Sequence, residues 1–170
     1  MTSTTPHLDA QRTAGVSPLI SPALLRSELP VDGAVAATVT AGRDATVDVL
    51  TGRDDRLVVV VGPCSIHDAD AALDYARLLA AHAETLRDDL VVVMRAYFEK
   101  PRTTVGWKGL INDPDLDGTF QVNKGLRIAR SLLRAITALG LPVGCEFLDP
   151  ITPQYIADLV SWGSIGARTA

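Results

Sequence analysis

Positive side chains cluster in one short stretch of this sequence, from Met94 to Gly109. The stretch carries one acid, Glu99, and four cations, whereas the whole chain has a formal net charge of −4. The four cations are Arg95, Lys100, Arg102 and Lys108. Guanidinium groups bind phosphate and carboxylate through two parallel hydrogen bonds, and an ammonium group acts as a point charge. The stretch therefore predicts an anion site, with a solvated basic loop as the alternative.

The residues next to Lys100 favour the anion site. Pro101 fixes the backbone φ angle before Arg102, and Thr103 and Thr104 add hydroxyl donors beside it. The cations also begin where an apolar run ends, in a segment too long to be a simple connection. We therefore expect the site to lie just past the end of a strand.

Apolar runs alternate with helical patterns along the chain, which indicates βαβ units and a parallel sheet. The predicted strands are Leu57–Val61, Leu90–Met94, Pro142–Leu148 and Ser164–Arg168. The predicted helices are Pro22–Leu29, Ala34–Leu50, 69–87, 124–139 and Pro153–Ser161. The first strand is a continuous β-branched run, typical of a strand buried on both faces. The candidates are a (β/α)₈ barrel and an open doubly wound sheet, and no G-x-G-x-x-G supports a dinucleotide-binding version of the latter.

The carboxyl ends of parallel strands meet at one edge, where α/β enzymes collect their chemistry. The residues at the four predicted ends are Cys64, Arg95, Glu146 and Arg168. Period-two alternation places Glu146 and Arg168 on the same face as small residues and turns Cys145 and Ile165 to the helix side. Each residue also has a structural alternative: Cys64 as a small buried hydrophobe, and Glu146 with either arginine as an ion pair.

Composition limits the remaining possibilities. At 170 residues, with 47% hydrophobic and 21% charged residues, the chain is typical of one soluble globular domain. Its mild acidity argues against a nucleic-acid partner. Two cysteines are too few for a disulfide framework, and no signal peptide is evident, so we expect a cytoplasmic protein. No apolar run is long enough to cross a bilayer, so we expect no membrane partner. The Thr-, Ser- and Pro-rich start predicts a mobile arm over residues 1–33, followed by a single unit over 34–170.

Several long strings identify a family. They are GPCSIHD at Gly62–Asp68, MRAYFEKPRTTVGWKGLINDP at Met94–Pro114, EFLDPITPQY at Glu146–Tyr155 and SWGSIGART at Ser161–Thr169. These strings closely resemble type I 3-deoxy-7-phosphoheptulonate (DAHP) synthase, in the branch inhibited by aromatic amino acids. The resemblance runs from about Leu50 to the last residue.

The resemblance implies a (β/α)₈ TIM barrel that condenses phosphoenolpyruvate with erythrose 4-phosphate and water, the first step of the shikimate pathway to chorismate. It implies that Arg95 and Lys100 are catalytic. Around phosphoenolpyruvate it places Arg95, Lys100, Glu146 and Arg168. Along erythrose 4-phosphate it places Lys100, Pro101, Arg102, Thr103 and Thr104. It also implies a divalent metal (Mn²⁺, Fe²⁺, Co²⁺ or Zn²⁺). Cys64 would be the one ligand of that metal that this chain supplies.

The resemblance further implies a homo-oligomer that is inhibited by an aromatic amino acid. The effector site is expected at the N-terminal arm and near Asp149–Gln154, with Pro150 where family members differ in the amino acid they sense. A barrel of this class needs about 250 residues, so the chain corresponds to its N-terminal half, ending at the fourth strand. We expect the 170-residue chain to be inactive alone. The alternative function is a non-catalytic fragment that only associates with full-length subunits.

Overall fold

The computed structural model describes residues 16–100 and 106–166. Its helices are α1 (Pro22–Glu28), α2 (Gly33–Leu50), α3 (Ala69–Thr85), α4 (Val122–Ala138) and α5 (Pro153–Ile156), and a 3₁₀ turn covers Ala157–Leu159. Its strands are β1 (Leu57–Val61), β2 (Leu90–Arg95), β3 (Val143–Phe147) and β4 (Trp162–Ile165). The order of strands and helices is the one that the sequence predicts.

The four strands form one parallel sheet in the order β1-β2-β3-β4. The register pairs Val60 with Val93, Arg95 with Gly144, and Gly144 with Trp162. Consecutive parallel strands joined by crossover helices form a sheet that curls in one direction, as in a (β/α)₈ barrel. The described residues form half of such a barrel, which confirms the predicted fold class.

The core lies between the sheet and the helices. Met94 and Val143 are fully buried there, and Cys145 is almost so. From the helix side, α4 contributes the stripe that its spacing predicts: Leu126, Ala129, Leu133 and Ile136. Each of these residues lies three or four positions from the next, so one face of α4 meets the sheet. The apolar side chains of β2 and β3 on this face fix the strands against the helices.

Helix α2 lies across the amino-terminal ends of β3 and β4. A Cβ atom on Gly42 would lie 2.6 Å from both Pro142 Cβ and Ser161 Oγ, so glycine permits the close approach. The Arg43 guanidinium donates to the Val160 carbonyl oxygen at 3.0 Å. The glycine that weakens the helical pattern of α2 is therefore the residue that lets this helix pack against the strand ends. None of the helices in the described ranges is long and apolar enough to cross a membrane.

Residues before α2 contact helices α4 and α5. The Ile20 N–H group donates to Asn123 Oδ1 at 2.8 Å, and the Tyr155 hydroxyl donates to the Ile20 carbonyl at 2.6 Å. The Arg130 side chain donates to the Leu29 carbonyl at 2.8 Å. The part of the chain between residues 16 and 33 that the structure describes is thus hydrogen-bonded to the helix layer.

The expectation about the burial of β1 is wrong. β1 is not buried on both faces, because Leu57 is 66% exposed and Val61 36%. β1 is an edge strand of the described sheet and pairs only with β2, so one side of it meets solvent. Ile165, at the opposite edge, pairs in register with Phe147 and lines a cavity with Pro153 of α5, but it is 82% exposed. The fourth strand also begins two residues earlier than predicted, at Trp162, because Trp162 pairs with Gly144.

Candidate active site

The carboxyl ends of β1, β2 and β3 bring three of the predicted site residues to one edge of the sheet. Arg95 ends β2 beside Gly144, and Glu146 lies two residues further along the same face of β3. Cys64 follows β1 and its thiol is exposed. Residues Pro101, Arg102, Thr103, Thr104 and Arg168 lie outside the described residues. One thiol, one guanidinium and one carboxylate therefore lie at the same edge of the sheet.

Arg95 is held by the loop that follows β1. Its Nε donates to the Pro63 carbonyl at 3.0 Å and its Nη2 donates to the Gly62 carbonyl at 2.9 Å. The guanidinium carbon lies 5.4 Å from the centre of the Tyr97 ring. Gly62 permits this arrangement, because a Cβ atom there would lie 2.5 Å from the Arg95 carbonyl oxygen. The side chain is thus oriented before any ligand arrives.

The Arg95 guanidinium keeps binding capacity for an anion. Nη1 makes no hydrogen bond to any described residue, and the side chain has no acidic partner among them. Its two hydrogen bonds go to neutral carbonyl groups, so no carboxylate within the described ranges cancels the positive charge. A partly buried, oriented and uncompensated guanidinium is the donor set that phosphate or carboxylate needs. The ion-pair alternative for Arg95 with Glu146 finds no support in the described contacts.

The Glu146 carboxylate lies close to the residue that follows β4. It pairs in register with Ser164, and a Cβ atom on Gly166 would lie 3.4 Å from Glu146 Oε1. The Gly166 N–H group donates to the Phe147 carbonyl at 2.9 Å. The small residues that share the face of Glu146 therefore leave space around its carboxylate, as the alternation of the sequence predicts.

The loop that follows β2 and carries the cations begins at Lys100, and its two ends lie side by side. Glu99 and Gly109 form an antiparallel bridge, and the Lys100 N–H group donates to the Lys108 carbonyl at 3.1 Å. Lys100 is half-buried and begins the loop about five residues after Arg95 ends its strand. The loop therefore leaves the sheet edge as a hairpin whose first cation is Lys100.

Glu99 lies in a pair of carboxyl groups that sequence reasoning missed. The Thr152 hydroxyl lies 2.8 Å from Asp149 Oδ2 and 3.4 Å from Glu99 Oε1. Burial first, and then the negative charge of Asp149, raises the pKa of Glu99 to about 7. In the basic stretch Glu99 stands out only as its single acid, and its partner is remote in sequence. That single acid is the one signal that could have directed attention to it.

Asp149 is the ionised member of the pair. Burial alone would raise its pKa, but the N–H groups of Thr152 and Ile151 and the Thr152 hydroxyl outweigh burial and lower that pKa. The Ile151 and Thr152 N–H groups lie 2.6 Å and 2.8 Å from Asp149 Oδ1. The turn after β3 therefore holds one fixed negative charge beside Glu99.

A cavity of about 410 Å³ opens beside this turn. Its lining is Phe147, Asp149, Pro150, Pro153 and Ile165. Apolar walls with one carboxylate suit a ligand that has an apolar body and a positively charged group. The cavity coincides with the segment in which an effector site is expected.

A larger cavity, of about 760 Å³, lies at the opposite ends of the strands. Small residues of α2, such as Ala41 and Gly42, line it together with Leu90 and Pro142. It contains none of the predicted site residues. The predicted site residues that the structure describes lie instead at the carboxyl edge, where α/β proteins collect their chemistry.

The described residues do not form a complete metal centre. Cys64 offers an exposed thiol, but no group of three or more His, Cys, Asp or Glu residues within the described ranges could hold a metal ion. The second cysteine is unsuited to the task, because burial, and then the charge of Glu99, raises the pKa of the Cys145 thiol to about 12. A single thiol does not define a coordination site, so no step is assigned to a metal here.

Four parallel strands with their crossover helices define the chain as half of a (β/α)₈ barrel. Residues 32–170 match the DAHP synthetase I family. The chain belongs to that family. It is 76% identical over 163 residues to a phospho-2-dehydro-3-deoxyheptonate aldolase of Amycolatopsis methanolica, covering 96% of this chain and 80% of that protein.

Other relatives are about twice as long as this chain. The Phe-sensitive phospho-2-dehydro-3-deoxyheptonate aldolase of Escherichia coli K12 is 58% identical over 161 residues, covering 95% of this chain and 46% of that protein. A solved structure of the aldolase from Francisella tularensis SCHU S4 superposes with a TM-score of 0.87 at 50% identity, covering 91% of this chain and 46% of that one. The chain thus spans about half the length of these relatives.

Proposed function

We propose that the complete protein containing this chain is a DAHP synthase. It would join phosphoenolpyruvate to erythrose 4-phosphate, with water, and release phosphate. The observation that carries the proposal is the Arg95 guanidinium, which two carbonyl groups orient toward the strand-end edge while its charge stays uncompensated. Family membership and the names of the relatives support the same reaction.

Arg95 and Glu146 would act on phosphoenolpyruvate. The substrate carries a carboxylate and a phosphate, and Nη1 of Arg95 is the donor still available to either. Because Gly62 and Pro63 fix the other two nitrogens, little side-chain entropy is lost when the substrate binds. Arg168 would complete this set from the end of β4. These roles follow from the resemblance and from the position of the strand ends.

Lys100 would lie between the two substrates, with Arg102 toward the phosphate of erythrose 4-phosphate. Pro101, Thr103 and Thr104 would line the same substrate. Two anionic molecules must approach each other for the carbon–carbon bond to form, and clustered cations offset their repulsion. The hairpin base at Glu99 and Gly109 supplies the fixed point from which this loop extends.

A divalent metal would complete the site in the full-length protein, with Cys64 as the one ligand from this chain. An exposed thiol next to the start of α3 can bind a metal as thiolate. The metal would supply Lewis-acid polarisation of the aldehyde when bound.

The test is an assay of the complete protein. Phosphate release from phosphoenolpyruvate should require erythrose 4-phosphate and a divalent ion. Arg102→Lys should raise the KM for erythrose 4-phosphate roughly ten- to a hundredfold, since a lost charge-assisted hydrogen bond is worth about 1.5–3 kcal/mol. The KM for phosphoenolpyruvate should change far less. Equal changes in the two constants would assign Arg102 a structural role, and no phosphate release would reject the synthase.

We also infer that an aromatic amino acid inhibits the complete protein at the cavity beside Asp149. Relatives are named Phe-sensitive, Trp-sensitive and tyrosine-inhibited. The cavity walls are apolar, and Asp149 can pair with an ammonium group. Adding millimolar Phe, Tyr or Trp should slow the reaction, and activity equal with and without all three would contradict the inference. Measuring native mass would test the expected homo-oligomer, and cell fractionation would test the expected cytoplasmic location.

A further inference from the structure

The base of the substrate loop touches the turn that follows β3. Gly109 brings the two arms of the hairpin together, because a Cβ atom on Gly109 would lie 2.6 Å from Glu99 Cα. The side chain of Glu99 reaches the turn, where Thr152 Oγ1 is 3.4 Å from Glu99 Oε1. Lys100, the next residue, begins the loop that carries the phosphate-binding cations. Because Glu99 and Lys100 are adjacent, the contact of the Glu99 side chain with the turn constrains where the loop begins.

The hydrogen bonds around this contact balance only when one carboxyl group is protonated. Thr152 has one hydroxyl proton, and Asp149 Oδ2 lies closer to that hydroxyl, at 2.8 Å, than Glu99 Oε1 does. Glu99 Oε2 is buried and has no hydrogen-bond partner within the described residues. An ionised Glu99 would thus be short of donors in a buried position, which is costly. A proton on Glu99 turns the same group into a donor for the Asp149 carboxylate.

The surroundings assign the proton to Glu99 rather than to Asp149. Two backbone N–H groups stabilise the negative charge of Asp149, whereas Glu99 has the Thr152 hydroxyl and Asn112 as its neutral hydrogen-bonding neighbours. Cys145 on β3 also faces Glu99 and stays a neutral thiol. Asp149 is accordingly the charge that acts most strongly on Glu99.

We propose that Glu99 is a positioning residue for Lys100: as a neutral acid it hydrogen-bonds to the Asp149 carboxylate and so fixes the base of the substrate loop. The proposal rests on the proposed function, because Lys100 contacts substrate only in a synthase. When Glu99 loses its proton, two carboxylates face each other and repel, so the loop base separates from the turn. Erythrose 4-phosphate should suffer most, since it lies along the loop, whereas phosphoenolpyruvate is also held by Arg95 and Glu146.

The experiment compares the complete wild-type protein with its Glu99→Gln variant across pH. Glutamine is neutral at every pH and keeps a donor of the same shape. The ratio of the wild-type KM for erythrose 4-phosphate to that of Glu99→Gln should rise by roughly tenfold between about pH 6 and pH 8, as the competent fraction falls. The same ratio for phosphoenolpyruvate should change less than about twofold. A constant ratio for erythrose 4-phosphate would overturn the proposal.

Two further variants keep the test decisive. Glu84→Gln changes an exposed acid on α3 and should follow the wild type at every pH. Asp149→Asn should also abolish the pH-dependent rise, because an ionised Glu99 would then meet an amide donor instead of a carboxylate. A rise that persists in Asp149→Asn would contradict the role of the pair.

Infrared difference spectra separate this proposal from the proposed function. Wild-type protein should lose a protonated-carboxyl band between about pH 6 and pH 8, and Glu99→Gln should lack that band. The measurement needs no turnover, so it reports on the pair even if the protein is not a synthase. The absence of a band that depends on Glu99 would overturn the proposal whatever the kinetics.

Discussion

Two arginines show how the carboxyl edge of the sheet differs from the helix layer. Arg130 on α4 has no exposed surface, and it donates to the Leu29 and Tyr155 carbonyls and through both Nη atoms to Asp158. Arg95 is half-buried and donates twice, to Pro63 and Gly62, with Nη1 unused among the described residues. The charge and the hydrogen bonds of Arg130 are thus matched by protein groups. Arg95 makes only the two hydrogen bonds that orient it.

A structural cation differs from a binding one in which groups its donors and its charge contact. A buried guanidinium whose donors and charge are all matched has nothing left for a ligand. One that is fixed by neutral carbonyls keeps its charge for a partner that arrives later. Arg130 is fully buried and matched by a carboxylate, whereas Arg95 is half-buried with no carboxylate partner in the described ranges. Arg43 also donates only to carbonyl groups, so it is the position of Arg95 at the carboxyl ends of the strands that marks it as a binding residue.

Removing the matched arginine should have the largest effect on stability. Arg130→Met in the complete protein is expected to lower the free energy of unfolding by about 3 to 5 kcal/mol, because Asp158 and two carbonyl groups lose their partner. The stability of Arg130→Lys should lie between that of Arg130→Met and that of the wild type. Lysine keeps the positive charge but lacks the planar guanidinium that binds a carboxylate through two hydrogen bonds. Urea denaturation measures both. A loss no greater than that from an exposed arginine would remove the contrast with Arg95.

Replacing the oriented arginine should instead affect binding. Arg95→Lys is expected to raise the KM for phosphoenolpyruvate roughly ten- to a hundredfold, corresponding to about 1.5–3 kcal/mol for a lost charge-assisted hydrogen bond. The denaturation midpoint should change much less than in Arg130→Met. Steady-state kinetics and urea denaturation of the same preparation check this. A variant that is destabilised as strongly as Arg130→Met would make Arg95 a structural residue too.

The carboxyl pair predicts a smaller, pH-dependent effect on stability. The folded pKa of Glu99 is raised from 4.5 to about 7, so the folded protein holds a proton there that the unfolded chain has lost. The stability of the wild type relative to Glu99→Gln should therefore be greatest below 4.5, fall as pH rises toward about 7, and remain low above it. Thermal denaturation of both proteins at several pH values tests this. A difference in midpoint that does not change with pH would contradict it.

The smallest effect is expected at Arg127, on the same helix as Arg130. Arg127 pairs with Glu28 at 2.8 Å, and both side chains are well exposed, so solvent screens the pair. Arg127→Ala should leave the denaturation midpoint and both Michaelis constants unchanged within error. A clear loss of stability would show that solvent exposure does not distinguish an ion pair that stabilises the protein from one that does not.

Much of the fold could be predicted from local sequence, because it depends on local chemistry. Asp68 is of the residue type that caps helices, and at the start of α3 the Ala71 N–H group donates to Asp68 Oδ1 at 3.0 Å. The alternation within β3 correctly separates Glu146 from Cys145. These features follow from residue spacing, which the sequence displays directly.

The errors arise where distant residues decide the outcome. The last helix was expected to run to Ser161 but becomes a 3₁₀ turn after Ile156. Arg130 takes the Tyr155 carbonyl and Arg43 takes the Ala157 carbonyl, and each donor comes from another helix. Glu99 was missed for the same reason, since Thr152 lies 53 positions away. Spacing along the chain carries no information about such pairs.

The contact between Arg43 and the end of the helix layer has a consequence for biosynthesis. Arg43 and its partner Val160 are 117 positions apart. At the usual rate of roughly 5–20 residues per second, a ribosome needs about 6 to 23 s to add the residues between them. During that interval α2 emerges without the strand ends that it covers, and most of the stability of a helix in a protein comes from packing its apolar face. Its apolar face is thus available to chaperones long before the sheet can receive it.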